Sequence, residues 1–156
     1  MSTQETIVVV GAGHAGVQAA ASLREEGFAG QIELVSGEHA LPYQRPPLSK
    51  KFMKEQMAPS DLLLRGEQFY ADKDIGLRLG DKVLEIDRAD KSVQLASGDR
   101  LAYDHLILAT GSKPRSTDLV GAELDGVQRL CEVDDAIRLR QALRRVGNVV
   151  IVGAGF

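Results

Sequence analysis

One local pattern occurs twice in this chain: a short β-branched run that opens directly into closely spaced glycines. Ile7-Val8-Val9-Val10 leads into Gly11-Ala12-Gly13-His14-Ala15-Gly16, a complete GxGxxG, and Val149-Val150-Ile151-Val152 leads into Gly153-Ala154-Gly155-Phe156, two residues short of a third glycine. Apolar runs without alternation are the signature of strands buried on both faces of a parallel sheet, so each opening predicts a strand, a tight turn and a helix start. In the first, Gly11 would make the turn, Gly13 would let the backbone approach a diphosphate, and Gly16 would permit close packing of helix on strand, with Ala12 and Ala15 between them. Amides at a helix start attract negative charge. Two openings suggest two dinucleotide sites, of which only the first is whole here. Taken alone, a GxGxxG also fits a purely structural glycine turn.

The surrounding pattern supports the dinucleotide reading. From residue 15 onward Gly16, Ala20, Leu23 and Gly27 fall on one helical stripe, and residues 32–35 read as a second strand, completing a βαβ unit of about thirty residues. Residues 41–48 hold Pro42, Pro46 and Pro47, which predicts a stiff, non-helical stretch. Residues 61–72 read as a helix and 76–79 as a short strand. Leu84 and Ile86, then Val93 and Leu95, alternate with polar neighbours across Asp90-Lys91, predicting an antiparallel meander. Residues 105–109 read as another buried strand. After an extended linker, Asp134 and Asp135 open a helix whose apolar stripe is Ala136, Leu139, Leu143 and Val146. The fold class is therefore α/β: a Rossmann-like parallel sheet with a small antiparallel meander.

Composition narrows the function. With 156 residues there is material for one ordinary core, and a net charge of −3 gives no electrostatic reason to bind nucleic acid. No apolar run approaches the ~20 residues of a membrane span, and residues 1–5 lack the pattern of a signal peptide, so a cytoplasmic protein is expected, with no membrane partner. The single cysteine, Cys131, has no partner for a disulfide or redox pair, and with only His14, His39 and His105 beside it no metal-ligand spacing occurs. A structural thiol is the simpler reading of Cys131 than a nucleophile.

The acidic residue expected after the second strand, to accept hydrogen bonds from a ribose, is best matched by Glu38 in Leu34-Val35-Ser36-Gly37-Glu38. A solvated loop carboxylate fits it equally. The segment Leu41-Pro42-Tyr43-Gln44-Arg45-Pro46-Pro47-Leu48-Ser49-Lys50 is more distinctive than any glycine pattern. With it, and with Leu106-Ile107-Leu108-Ala109-Thr110-Gly111-Ser112-Lys113-Pro114-Arg115, the chain resembles the FAD-dependent ferredoxin reductases over essentially its whole length. Rubredoxin, nitrite and apoptosis-inducing-factor-like flavoprotein reductases share this front half. A non-enzymatic flavin-binding or interaction module on the same fold is the rival from another class.

The resemblance implies an NAD(P)H-dependent oxidoreductase that passes electrons through FAD to a ferredoxin or similar iron-sulfur partner. Arg45, Pro46 and Lys50 would line the flavin, Lys50 near its redox-active edge, where a cation stabilises the negative charge of the reduced form. Val83 would offer backbone contact to the adenine end, and Ala109, Thr110 and Gly111 would form the second cofactor turn. Lys113 and Arg115 would either neutralise phosphate or simply be solvated. Two departures stand out: many relatives carry aspartate at the position of Gly37 and arginine at that of Cys131. The expected layout is an incomplete three-layer FAD/NAD(P)-binding fold. Residues 1–113 form the first part of the FAD domain, 114–147 a linker and connecting helix, and 148–156 the first strand of a truncated NAD(P)-binding domain, so the NAD(P)H site is absent and the fragment alone does not turn over. The unpaired sheet edge at residues 105–109 is expected to be filled by residues 149–152, from this chain or from a second copy.

Overall fold

The structure, a computed structural model, describes residues 5–114 and 119–153. It divides into two compact units, one comprising the chain up to Gln44 with Ser60–Lys113, the other Arg45–Pro59 with Pro114 onward. Residues 45–59 thus group with the C-terminal part rather than with the residues around them in sequence.

The first unit is built on a parallel sheet of β1 (Thr6–Val10), β2 (Gln31–Val35), β3 (Ile75–Arg78) and β7 (His105–Leu108), in the order β3-β2-β1-β7. β1 is central, pairing Val10 with Val35 on one side and with Leu108 on the other. Alternate residues of this strand serve two cores, which is why it shows no polar position. Ile7 and Val9 join Val17 and Ala20 of helix α1 (His14–Glu25), together with Ile32, Leu34, Tyr70 and Ile75. Val8 and Val10 instead join Val35, Val93 and Leu95. The last two belong to the antiparallel sheet of β4 (Val83–Asp87), β5 (Ser92–Leu95) and β6 (Arg100–Ala102), in the order β4-β5-β6. Helix, parallel sheet and meander thus form three layers. Val8 and Val9 are fully buried, each contributing about 1.5–3 kcal/mol of hydrophobic stabilisation.

Arg24 fastens the end of α1. Its guanidinium donates to the carbonyls of Lys73 (2.8 Å), Phe28 (2.6 Å), Gly30 (2.7 Å) and Asp74 (2.5 Å), gathering two loops at one side chain. Gly27, at φ +86°, supplies the left-handed exit from the helix.

Several expectations change. Residues 61–72 are not one helix: a 3-10 turn, Pro59–Leu62, is followed by a bridge between Leu63 and Tyr43, and only Glu67–Asp72 is helical (α2). The Gln44 amide donates to Leu62 and the Leu64 amide to Pro42, so the proline-stiffened backbone captures this stretch in extended form. Strand β7 is not fully buried: it is the edge strand, pairing β1 alone, and Leu108 is 60% exposed. In β4 a register shift between Val83 and Glu85 puts Leu84 on the outside, 62% exposed, and Ile86 is exposed as well, so the alternating pattern overstates how much of this strand is core.

The second unit pairs the kinked turn Leu48–Phe52, broken at Lys50, with helix α3 (Val133–Leu143). The Arg140 guanidinium lies 4.8 Å from the centre of the Phe52 ring, and Arg140 and Arg144 reach Glu55 at 3.3 and 2.6 Å. The hydrogen bond from Arg144, then that from Arg140, holds the Glu55 carboxyl below the usual range. Residues 149–152 form no strand and are exposed, Val150 at 88% and Ile151 at 83%. The strand expected there is therefore not formed among the described residues, as a parallel-sheet strand gains its structure from neighbouring strands.

Candidate functional site

The first glycine turn lies at the carboxyl end of β1 and is tied on both sides. The Gly11 amide donates to Val35 at 2.8 Å, and the Ala109 amide to Val10 at 2.8 Å. Gly11 has φ +106°, and a Cβ there would strike the Ala109 carbonyl oxygen. A Cβ on Gly16 would strike the Gly11 carbonyl oxygen. These two glycines are therefore required by the protein's own packing. Gly13 differs: its φ of −78° suits any residue, and a Cβ there would meet nothing within 4 Å.

Open space at Gly13 faces a helix start with free donors. The first helical hydrogen bond is donated by Val17 to Gly13, leaving the amides of His14, Ala15 and Gly16 ahead of it. No side chain caps the helix, and its first turn holds no acidic residue. This end carries the partial positive charge of the helix dipole with no internal carboxylate to consume it. Ala12 is half-buried against the helix-side core, while Ala15 is exposed. The geometry suits a diphosphate: a backbone turn with one position left clear, directly ahead of an uncapped helix start.

The first unit also holds other expected residues. Ala109 packs half-buried against the same core, Thr110 is exposed, and Gly111 turns the chain at φ +66°. Val83 opens β4, opposite Leu95, and packs half-buried on the meander-side core. Glu38 is held rather than loose: its carboxylate accepts the hydroxyl of buried Tyr43, its amide donates to Ser36 Oγ at 3.1 Å, and its carbonyl accepts the Gly80 amide at 2.8 Å. The partnership with Tyr43 was not read from the sequence, although the tyrosine stands inside its most distinctive segment.

The remaining expected residues belong to the second unit. Arg45 and Pro46 are exposed, and the Arg45 Nη1 donates to the Cys131 carbonyl at 2.7 Å. Lys50 is exposed, its backbone leaving helical geometry at φ −120° and ψ −108° between buried Leu48 and Phe52. Arg115 lies outside the described residues. Cys131 is half-buried, with its amide donating to Asp135 at 3.0 Å. Among the described residues no cluster of three His, Cys, Asp or Glu could hold a metal ion, and no helix is long and apolar enough to cross a membrane.

Comparison with known proteins returns a match over residues 5–156 to the family model described as pyridine nucleotide-disulphide oxidoreductase. Among curated proteins, terpredoxin reductase from a Pseudomonas species is 46% identical over 153 residues, covering 98% of this chain and 37% of the relative. A solved ferredoxin reductase from Rhodopseudomonas palustris superposes with a TM-score of 0.85 at 43% identity, over 90% of this chain and 34% of that one. The reductase in a covalent putidaredoxin reductase-putidaredoxin complex gives a TM-score of 0.83 at 35% identity, over 89% and 34%. The chain spans little more than a third of the length of the curated relatives it matches.

Proposed function

Because the chain belongs to the pyridine nucleotide-disulphide oxidoreductase family, we propose that it is the flavin-holding part of an NAD(P)H-dependent ferredoxin reductase. Electrons would pass from NAD(P)H through FAD to a ferredoxin or similar iron-sulfur acceptor. The observation that carries this reading is the glycine turn, with Gly13 left clear before the amides of His14, Ala15 and Gly16. Terpredoxin, ferredoxin and putidaredoxin reductases among the similar proteins support the electron-transfer class. The family name includes disulphide chemistry, but Cys131 is the one cysteine here, so no redox pair exists within these residues.

In this reading the flavin supplies two-electron acceptance and one-electron release. The chain's residues bind and bias it. The amides at residues 14–16 hold the diphosphate, Glu38 accepts from the ribose, the Val83 backbone meets the adenine, and Ala109, Thr110 and Gly111 close the turn. Arg45, Pro46 and Lys50 line the flavin, with Arg115 near phosphate, and residues 148–156 begin the NAD(P)-binding domain. The dependence on NAD(P)H favours a cytoplasmic setting. Purifying the full-length protein that carries this chain and assaying NAD(P)H oxidation with ferredoxin, rubredoxin and artificial acceptors tests the proposal. Bound flavin with ferredoxin-dependent turnover is expected, whereas preference for rubredoxin moves the protein to that branch and a colourless, inactive protein contradicts the reading. Lys50→Gln is expected to leave folding intact and make the flavin potential more negative.

A further inference from the structure

In the second unit, the segment that carries Lys50 is gripped by α3 and its approach on both sides of that lysine. Before Lys50, Arg45 Nη1 donates to the carbonyl of Cys131, just ahead of the helix, at 2.7 Å. Beyond it, the Arg140 guanidinium lies over the Phe52 ring, 4.8 Å from its centre, and reaches the Glu55 carboxylate at 3.3 Å, where Arg144 joins it at 2.6 Å. Lys50 itself is exposed between buried Leu48 and Phe52. Glu55 ends the turn at φ +58°, a left-handed conformation that a residue other than glycine keeps only where its surroundings fix it. The Glu55 amide donates to the Phe52 carbonyl at 3.0 Å, and the Lys54 amide to that of Lys50 at 3.1 Å, so a shift of Glu55 passes into the backbone at Lys50. Glu55 is half exposed, and ion pairs in that setting add little stability. They can still fix an orientation. A lysine head group rides on a flexible four-carbon stem, and a cation favours reduced flavin only at close range, so the backbone from which Lys50 projects matters.

We propose that Arg140 and Glu55 are positioning residues for Lys50: their ion pair, closed over Phe52, clamps the turn so that the lysine is presented to the flavin. This rests on the reading that Lys50 stands near the redox-active edge of the cofactor and adds the residues that hold it there. The clamp acts through geometry, not through its own charge.

The flavin midpoint potential of the full-length, FAD-loaded protein tests the clamp through Arg140→Gln and Glu55→Gln, each alone and combined with Lys50→Gln. Removing a positive charge and removing a negative one move a potential in opposite directions when each acts through space. Positioning predicts one direction for both: Arg140→Gln and Glu55→Gln each make the potential more negative, by less than Lys50→Gln does, and neither adds to the shift once Lys50 is replaced. Thermal unfolding of Glu55→Gln should match wild type, since the side chain is half exposed, so the test stands even if Arg140→Gln folds poorly. Shifts of opposite sign, no shift in Glu55→Gln, or shifts that persist undiminished beside Lys50→Gln overturn the clamp while leaving Lys50 beside the flavin. An unchanged potential in Lys50→Gln alone overturns the reading of Lys50, and the clamp with it.

Discussion

Gly13 and Gly16 belong to one turn but answer to different constraints. A methyl group on Gly16 meets the Gly11 carbonyl, so Gly16→Ala should destabilise the protein by about 1–3 kcal/mol in urea unfolding. Gly13→Ala meets nothing and should cost under about 1 kcal/mol, the range of helix-cap exchanges, yet should weaken flavin binding because the methyl stands where the ligand must approach. Equal stability losses for the two would mean that the turn is structural throughout. At this scale the sequence was legible where backbone conformation dictates residue type, as at Gly11 with its positive φ. It was silent on the bond between Tyr43 and Glu38, because the residue types of a loop do not say which of its side chains meet.

Among the elements, β1, α1 and β2 were readable because their apolar spacing is set by burial on both faces of one sheet. The 61–72 stretch was not, since its helical spacing is overruled by backbone pairing to residues 42–44. The anchor on α1 is a single side chain. Arg24→Ala leaves four carbonyls without their donor and should cost about 2–4 kcal/mol in denaturant unfolding, and Arg24→Lys should recover little, since an ammonium lacks the guanidinium fork. Full stability of the alanine variant would rule this anchor out. The start of helix α3 is capped from within its first turn by Asp135, which accepts the Cys131 and Glu132 amides at 3.0 Å. Desolvation pushes its carboxyl upward, but hydrogen bonds from Glu132, Cys131 and Arg138 more than reverse this, so it titrates below the usual aspartate range. Hydrogen bonds centred on Ser97 and on the Asp90 amide lower Asp81 and Asp87 in the same direction. A depressed folded-state pKa contributes stability above the unfolded value, near pH ~4, that is lost as pH falls through the folded value. Stability should therefore decline on acidification below about pH 4, with a shallower decline in Asp135→Asn. An unchanged slope in that variant would remove Asp135 from the account.

For the molecule as a whole, the parallel sheet, its helix and the meander were legible from period and glycine placement, but the grouping of residues 45–59 with the C-terminal part was not, because no composition shift marks it. Among the described residues β7 pairs on one side only and the apolar residues 149–152 are exposed, two surfaces suited to strand pairing. Concentration-dependent association should appear in sedimentation velocity and be reduced by Ile151→Lys; a monomer at all concentrations would contradict this. The central claim, that backbone amides at one helix start hold a flavin diphosphate, is tested most directly by a crystal structure of the FAD-loaded protein. The diphosphate is expected within hydrogen-bonding distance of the amides at residues 14–16, over Gly13. A cofactor bound elsewhere, with that turn filled by protein side chains, would contradict the account.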